Sequence, residues 1–239
     1  MRRLGINIDH IATVRNARGG FHPDPLFAAK QVMLYGANSV TIHLREDRRH
    51  IKDIDVVKIC KNKKIPVNLE LSLNKDILKI AIKNKPNFVC LVPENRKELT
   101  TEGGLNLSKN LKKLKKIILQ FKKKKIRTSL FINPSIKDIN KAKYLDVDCV
   151  ELHTGKISDL VKKKQNYSFE FSKIKKCCVL ANYIGLEVHA GHGLDYKTTK
   201  ILTSIKEIEE FNIGHFIIGE SMVYGLKNTI KKFIKITKV

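Results

Sequence analysis

The sequence of 239 residues contains no tryptophan, and aromatic residues make up only 7% of it. Acidic residues are also scarce, with 23 against 47 basic ones, so the formal net charge is +24 at pH 7. A nucleic-acid-binding surface would interleave such charge with aromatic residues on which bases stack. Here the lysines instead fill one side of amphipathic segments such as KNLKKLKKIILQFKKKK, as solvated helix faces do. We therefore expect no nucleic-acid partner.

Long apolar runs and paired cysteine motifs are missing too. No stretch approaches the roughly 20 apolar residues of a membrane span, and the start, MRRLGINIDH, lacks the apolar core and cleavage site of a secretory signal. The five cysteines include no C-x-x-C pair, which fits a reducing compartment better than disulfides or a zinc site. We expect a cytoplasmic protein with no membrane partner and no metal.

No linker rich in proline, glycine or serine interrupts the chain, so we interpret residues 1–239 as a single domain. Short β-rich segments alternate with longer helical patterns, which predicts an α/β fold, a (β/α)8 TIM barrel with extra short helices. A doubly wound sheet is the alternative, but there is no G-x-G-x-x-G motif. We expect a helix over 203–212, another after Gly219 and a surface loop over 160–169. The predicted strands are 4–10, 39–45, 67–72, 88–94, 127–133, 149–155, 186–193 and 215–220.

Polar residues recur at every second position of these predicted strands. Strands of a parallel sheet are covered on both faces and normally form continuous apolar runs. In TIHLREDRRHI, however, Thr41, His43 and Arg45 alternate with apolar residues, and a cluster of charge follows. Burying such groups without partners costs a few kcal/mol each. We therefore expect them to converge in a wet pocket at the carboxyl end of the barrel.

Histidine and arginine are distributed unevenly along the chain. All eight histidines lie in predicted strands or adjoining loops, and histidine titrates near neutral pH. Seven of the nine arginines lie within the first 49 residues, and their planar fork of donors suits phosphate or carboxylate. These two patterns indicate acid/base chemistry on an anionic small molecule.

Several motifs, in this order and near-constant spacing, resemble those of the pyridoxine 5′-phosphate synthase family over about Leu4 to Leu226. They are NIDHIATVRNARGG, PDP, HLREDRRHI, NLE, LVPENRKELTTEGG, ELHTG, AGHGLDY and NIGHFIIGE. The resemblance implies a barrel that assembles as a homo-octamer built from dimers. It also implies condensation of 1-deoxy-D-xylulose 5-phosphate with 3-amino-2-oxopropyl phosphate, without a cofactor, releasing phosphate and water.

The same resemblance implies a role for each matching residue. His43 and Glu70 would accept protons, His192 would donate one, and Glu151 would steady developing positive charge. The aminoketone phosphate would contact Asn7, Arg18, Gly193, Gly214 and His215. The deoxyxylulose phosphate would contact Asp9, His10, Arg45, His50 and Thr100.

Two anion sites and a closing loop are further expectations. The segments GHG and IIGES match the places where barrels bind phosphate at helix N-termini. The polar loop PENRKELTTEGGLN could close over the substrates and exclude water. Two departures from the family pattern put substrate affinity in question: His189 stands where asparagine is expected, and Glu220 adds negative charge beside Gly219.

Two other functions remain as alternatives at this point. Another barrel acting on sugar phosphates, such as a Schiff-base aldolase, would require a lysine at a buried strand end. We interpret Lys156, which directly follows a predicted strand, as solvated. A nucleic-acid-binding protein would use the lysine-rich faces, and salt-sensitive, length-dependent RNA binding without turnover would reveal it.

Overall fold

Eight short strands form the centre of the computed structural model, which describes residues 2–94 and 103–238. In chain order they are β1 Arg3–Asn7, β2 Ser39–His43, β3 Val67–Leu71, β4 Phe88–Leu91, β5 Arg127–Ile132, β6 Cys149–His153, β7 Glu187–Gly191 and β8 Ile208–Ile213. Each strand runs parallel to both neighbours, and β8 pairs with β1, so the sheet closes on itself. The predicted TIM barrel is confirmed.

Helices follow the strands and cover the outside of the barrel. The eleven helices of the described residues are α1 Asp9–Arg18, α2 Pro25–Leu34, α3 Asp53–Lys61, α4 Lys75–Asn84, α5 Leu107–Lys123, α6 Ile136–Leu145, α7 Gly155–Lys162, α8 Ser168–Tyr183, α9 Tyr196–Leu202, α10 His215–Tyr224 and α11 Leu226–Thr237. Within 2–94 and 103–238, no helix combines the length and hydrophobicity that a bilayer-spanning segment requires.

Alternation along the strands divides apolar from polar side chains. On and just after β2, Val40, Ile42 and Leu44 are fully buried and belong to the large hydrophobic core between sheet and helices. The polar positions Thr41 and His43 are also buried, and they lie in register with the polar Asn68 and Glu70 of β3. Successive strands thus bring their polar residues to the same levels inside the barrel.

The eighth strand is not where the sequence pattern predicts it. Residues 215–220 form the first half of α10, and all of β8 except Ile213 lies in the segment 203–212, for which the sequence predicts a helix. A short apolar run such as HFII has no periodicity that separates a strand from a buried helix. In IEEFNI the glutamates favour a helix, but pairing with both β7 and β1 overrides this preference.

Two further boundaries differ from the expectation. The predicted strand 4–10 ends at Asn7, and α1 begins at Asp9, so His10 lies in a helix rather than in a strand or loop. The predicted surface loop 160–169 is shorter, because α7 extends to Lys162 and α8 begins at Ser168. Because α1 starts directly after β1, its first residues, Asp9 and His10, lie at the mouth of the barrel.

Candidate active site

A cavity of about 300 Å³ opens at the carboxyl ends of the strands. Its volume lies at the lower end of the range found for small-molecule sites. Twelve of the fourteen residues predicted for the site line it. They are Asn7, Asp9, His10, His43, Arg45, His50, Glu70, Glu151, His192, Gly193, Gly214 and His215. The expected wet pocket with convergent polar groups is therefore present.

His43 and Glu70 face each other across β2 and β3, where they are register partners. The distance from His43 Nδ1 to Glu70 Oε2 is 3.7 Å, slightly too long for a hydrogen bond. Burial, together with the charges of His50 and Arg45, holds the pKa of His43 well below its ordinary value. Burial, together with the charges of Glu151 and Asp9, raises the pKa of Glu70 well above its usual range. At neutral pH the imidazole of His43 is therefore uncharged, and it lies beside a carboxyl that holds its proton more tightly than an ordinary glutamate.

Glu151, on β6, is the next carboxyl in the cavity and is 3% exposed. Its Oε2 accepts a hydrogen bond of 2.8 Å from Asn212 Nδ2, and any side chain at Gly191 would overlap with Oε1. Burial raises the pKa of Glu151 to about 7, although the charge of His189 and the hydrogen bond from Asn212 oppose this rise. The negative charge of Glu151 is in turn one of the causes that raise the pKa of Glu70.

Asp9 links the ends of β1 and β2. Its Oδ1 accepts a hydrogen bond of 2.8 Å from the His43 backbone N–H, and its Oδ2 accepts one of 2.9 Å from Asn7 Nδ2. Asn7 Oδ1 in turn accepts from the Asp9 backbone N–H at 2.8 Å. Because Asp9 is also the first residue of α1, the carboxylate lies at the favourable end of the helix dipole. These bonds fix the backbone from which His43 projects.

Arg45 and His50 form the basic side of the cavity. Arg45 is only 2% exposed, and its Nε lies 3.7 Å from Glu94 Oε1 and 3.8 Å from Asp47 Oδ1. His50 Nδ1 accepts a hydrogen bond of 2.9 Å from the Ile51 backbone N–H, so a neutral His50 ring carries its proton on Nε2. A buried guanidinium beside an imidazole N–H is a suitable receptor for a phosphate group.

Residues that directly follow β7 and β8 form another side of the cavity; they include Gly193, Gly214 and His215. Gly214 is the N-cap of α10, and His215 is its first residue, so free backbone N–H groups of the first turn lie at the cavity. A side chain at Gly214 would come within 2.9 Å of Asn7 Cβ, which explains the glycine. His215 Nδ1 lies 3.3 Å from His10 Nε2, which brings a second imidazole to this side.

Four predictions about individual residues have other outcomes. Arg18 is exposed at the end of α1 and is not among the residues that line the cavity in the described part of the chain. Thr100, with most of the predicted closing loop, lies outside the described residues. The second predicted anion segment, IIGES, is wrong, because Gly219 lies inside α10 and not at a helix N-terminus. For the same reason Glu220 does not border an anion site.

Two polar residues of the cavity were missed by the sequence reasoning. Asn212 lies on β8, in the segment predicted as a helix, so its alternation with Phe211 and Ile213 went unused. Lys162 ends α7 and donates a hydrogen bond of 3.1 Å to the Gly193 carbonyl; its segment looked like a surface loop. Lys156, by contrast, is solvent-exposed as expected, and its Nζ lies 3.5 Å from Glu170.

Two groups of side chains bring metal-ligating atoms within 4.8 Å of one another: Asp9, His43 and His50, and separately Cys149, Glu187 and His189. The first group lies beside Arg45, whose charge opposes a cation as it favours an anion. In the second, Glu187 is already held by Arg3, Arg127 and His189. Neither group fits a resident metal as well as it fits its present partners.

The fold and the cavity define a TIM-barrel enzyme whose titratable side chains converge at the carboxyl ends of the strands. The family model described as "Pyridoxal phosphate biosynthesis protein PdxJ" matches residues 4–239. The chain belongs to this family, and with it to the enzymes of vitamin B6 biosynthesis.

Curated relatives agree with this assignment, and solved structures share the fold. The chain is 69% identical over 99% of both chains to "Pyridoxine 5′-phosphate synthase" of Pelagibacter ubique (strain HTCC1062). It is 46% identical to the protein of that name from Zymomonas mobilis, covering 96% of this chain and 89% of the relative. The dimeric phosphoribosylanthranilate isomerase of Thermotoga maritima shares the fold, with a TM-score of 0.60 and 15% identity over 100% of this chain and 99% of the other.

Proposed function

We propose that the protein is a pyridoxine 5′-phosphate synthase that condenses 3-amino-2-oxopropyl phosphate with 1-deoxy-D-xylulose 5-phosphate. The products are pyridoxine 5′-phosphate, inorganic phosphate and water. The observation that carries this proposal is the convergence of acid/base and anion-binding side chains in one cavity of a chain that belongs to the family. Curated relatives up to 69% identical bear the name of this activity.

The chemistry of the condensation fits the side chains that line the cavity. Attack of the substrate amine on a ketone, loss of water, loss of phosphate and ring closure each move protons between carbon, nitrogen and oxygen. Such a sequence needs several groups that exchange protons near neutral pH. The substrate supplies the amine, so the reaction needs no Schiff-base lysine, and we propose that it needs neither metal nor cofactor.

We assign the proton transfers to three groups from three strands. His43, uncharged at neutral pH, accepts a proton directly. Glu70, whose pKa is raised well above its usual range, becomes a proton acceptor when positive charge on the substrate lowers that pKa. His192 donates protons to the leaving oxygen. Glu151, ionised above about pH 7, stabilises positive charge on the condensing nitrogen.

The two phosphates would occupy adjoining parts of the cavity, which meet where His215 Nδ1 lies 3.3 Å from His10 Nε2. Arg45 and His50, with Asp9 and His10 nearby, would hold the deoxyxylulose phosphate, and Thr100 would add a hydroxyl. The N–H groups at Gly214 and His215, with Gly193 and Asn7, would hold the aminoketone phosphate. Arg18 would join that second site only from a position other than the one it has here.

We further propose that the protein acts in the cytoplasm as a homo-octamer built from dimers. The five buried free thiols suit a reducing compartment. Large apolar side chains on and around α2 are exposed, such as Phe21 (97%), Phe27 (61%) and Leu34 (76%), and contacts between copies would cover them. Light scattering on the purified protein would then give eight times the chain mass of 27.3 kDa.

The decisive experiment mixes the pure protein with both phosphorylated substrates and monitors the pyridinol chromophore together with released phosphate. We expect both products only when both substrates are present, and neither when one is omitted. Phosphate release from a single substrate would support a different sugar-phosphate enzyme. No product from the folded protein and both substrates would refute the proposal.

A further inference from the structure

His153, at the end of β6, has no part in the site described above, yet it lies directly behind a residue that does. Its ring stacks on the ring of His192, with centroids 4.7 Å apart and an angle of 29° between the planes. Its other side meets Phe131 edge-on, with centroids 5.4 Å apart. The His153 ring is thus clamped between an aromatic side chain of β5 and a cavity residue that follows β7.

Hydrogen bonding does not account for this histidine. His153 Nε2 is buried and has no hydrogen-bond partner among residues 2–94 and 103–238, and the ring is not part of the cavity lining formed by those residues. Burial and the charge of His192 lower the pKa of His153 to about 4, against the opposing charge of Asp159. The His153 ring is therefore neutral at physiological pH, and its contact with His192 is one of packing between two rings.

The surrounding backbone is built for this stack. A side chain at Gly155 would come within 2.7 Å of His153 Cε1 and within 2.9 Å of His192 Cδ2, so only glycine leaves room for both rings. His192 has φ of 78°, a left-handed conformation that is unfavourable for a residue with a side chain. Thr154 Oγ1 lies 2.8 Å from the Gly191 carbonyl oxygen and 2.7 Å from that of His192, and its single hydroxyl proton is donated to one of them at a time.

We propose that His153 is a positioning residue, whose ring fixes the orientation of the His192 imidazole toward the substrate. This inference rests on the proposed function, in which His192 donates protons. The strained backbone at His192 sets where the side chain starts, and the stacked ring limits how the imidazole can turn. A proton donor must lie within hydrogen-bond reach of its acceptor, and a displacement of about 1 Å can cost about a hundredfold in rate.

Three variants test the proposal by steady-state kinetics. In His153→Ala the His192 ring loses its support, so we expect kcat to fall about tenfold to a hundredfold while KM for both substrates changes by less than about twofold. His153→Phe keeps an aromatic face and loses only the nitrogens, so it should retain kcat within about threefold of the parent. Lys156→Ala, an exposed neighbour at the start of α7, is the matched control and should match the parent.

A double-mutant cycle adds a second line of evidence. Gly155→Ala should lower kcat in the parent, because its methyl group pushes into the stack. In the His153→Ala background the same change should cost clearly less, since one of the two rings is gone. Parental kcat in His153→Ala, equal losses in His153→Phe and His153→Ala, or full additivity of the cycle would each overturn the proposal.

Crystal structures of the variants keep this test separate from the proposed function. We expect the His192 ring to turn from its present orientation in His153→Ala and to keep it in His153→Phe. An unmoved ring in His153→Ala overturns the positioning role, whatever the activity. If the parent makes no pyridinol, the proposed function fails, and the structures alone decide the role of His153.

Discussion

Both ends of the barrel interior contain ionisable residues, but the neighbours of these residues differ between the two ends. At the amino end, Glu187 is bound by Arg3, Arg127 and His189, and Glu210 lies 2.7 Å from Arg3 Nε. At the carboxyl end, the buried Glu70 has a neutral imidazole as its neighbour. One end pairs opposite charges, and the other holds titratable groups away from their charged forms.

The pKa values express this difference. Burial would raise the pKa of Glu187, but the hydrogen bonds from His189 and Arg127 and the charge of Arg3 hold it well below its usual range. For Glu70, burial and like charges act in the same direction, and its pKa rises. Paired buried charges act mainly on stability, whereas groups with strongly perturbed pKa values in a cleft indicate chemistry. We therefore interpret the amino end as structural and the carboxyl end as the proposed catalytic end.

The largest expected effect is that of His43→Asn at the catalytic end. Asparagine keeps the polarity but cannot accept a proton near neutral pH, so turnover should fall about a thousandfold or more. Stability should change little, because His43 is uncharged in the folded protein and no charge is removed. Turnover by the chromophore assay and thermal unfolding of the same sample check both statements. Near-normal turnover would show that the proton acceptor lies elsewhere.

At the structural end, Glu187→Gln should have the reverse effect. The pKa of Glu187 is depressed on folding, so its stabilisation is present above the unfolded value of about 4.3 and is lost as pH falls through the folded value. We expect the variant to lose about 2 kcal/mol at pH 7, a loss that shrinks in acid, with turnover within about threefold. Urea unfolding at both pH values measures this.

The matched control is Glu209→Gln, because Glu209 also approaches Arg3, at 3.7 Å, but has a side chain that is 45% exposed. Exposed ion pairs contribute little, so this change should leave stability nearly unaltered. If Glu187→Gln and Glu209→Gln lose the same stability, the ion pairs of Glu187 contribute no more to stability than an exposed ion pair does.

A smaller effect, on the pH dependence of turnover, is expected for His189, which lies between the two ends. Burial lowers the pKa of His189, but the hydrogen bond to Glu187 and the charges of Glu210 and Glu151 outweigh burial and raise it. The charge of His189 in turn opposes the rise in the pKa of Glu151, which is about 7. His189→Asn should therefore move the limb of the pH–rate profile that reports ionisation of Glu151 upward by about half a unit to one unit.

Turnover of this variant should be a few-fold lower at pH 7 and close to the parent at pH 9, where Glu151 is ionised in both. A limb of the pH–rate profile that stays in place, or moves to lower pH, would show that the charge of His189 does not lower the pKa of Glu151. Because asparagine is the residue expected at this position in the family, the experiment also measures what this departure changes.

The sequence pattern predicts the catalytic end better than the structural one. Alternation of polar and apolar residues, as in Thr41, His43 and Arg45, reveals which side chains face the barrel interior. It does not reveal their partners. The bridge from Arg3 to Glu187 joins residues 184 positions apart, which only closure of the barrel brings together.

The misplaced eighth strand and the missed Asn212 likewise depend on contacts between segments that are distant in the sequence. The eighth strand was misplaced because glutamates in IEEFNI favour a helix locally, whereas pairing with β7 and β1 makes it a strand. That error hid Asn212, the hydrogen-bond donor to Glu151. The stacking of His153 on His192 depends on the absence of a side chain at Gly155, and a sequence shows that glycine without showing the rings beside it.

Glu70→Gln offers the most direct measurement, with turnover and melting temperature recorded on one sample at pH 5 and pH 8. The raised pKa means that the folded state binds more protons than the unfolded state, so the native carboxyl costs stability as pH rises above about 4.3. We expect the variant to lose turnover at least a hundredfold, and to melt above the parent at pH 8 with a smaller difference at pH 5. Normal turnover, or a lower melting temperature than the parent at pH 8, would contradict the account.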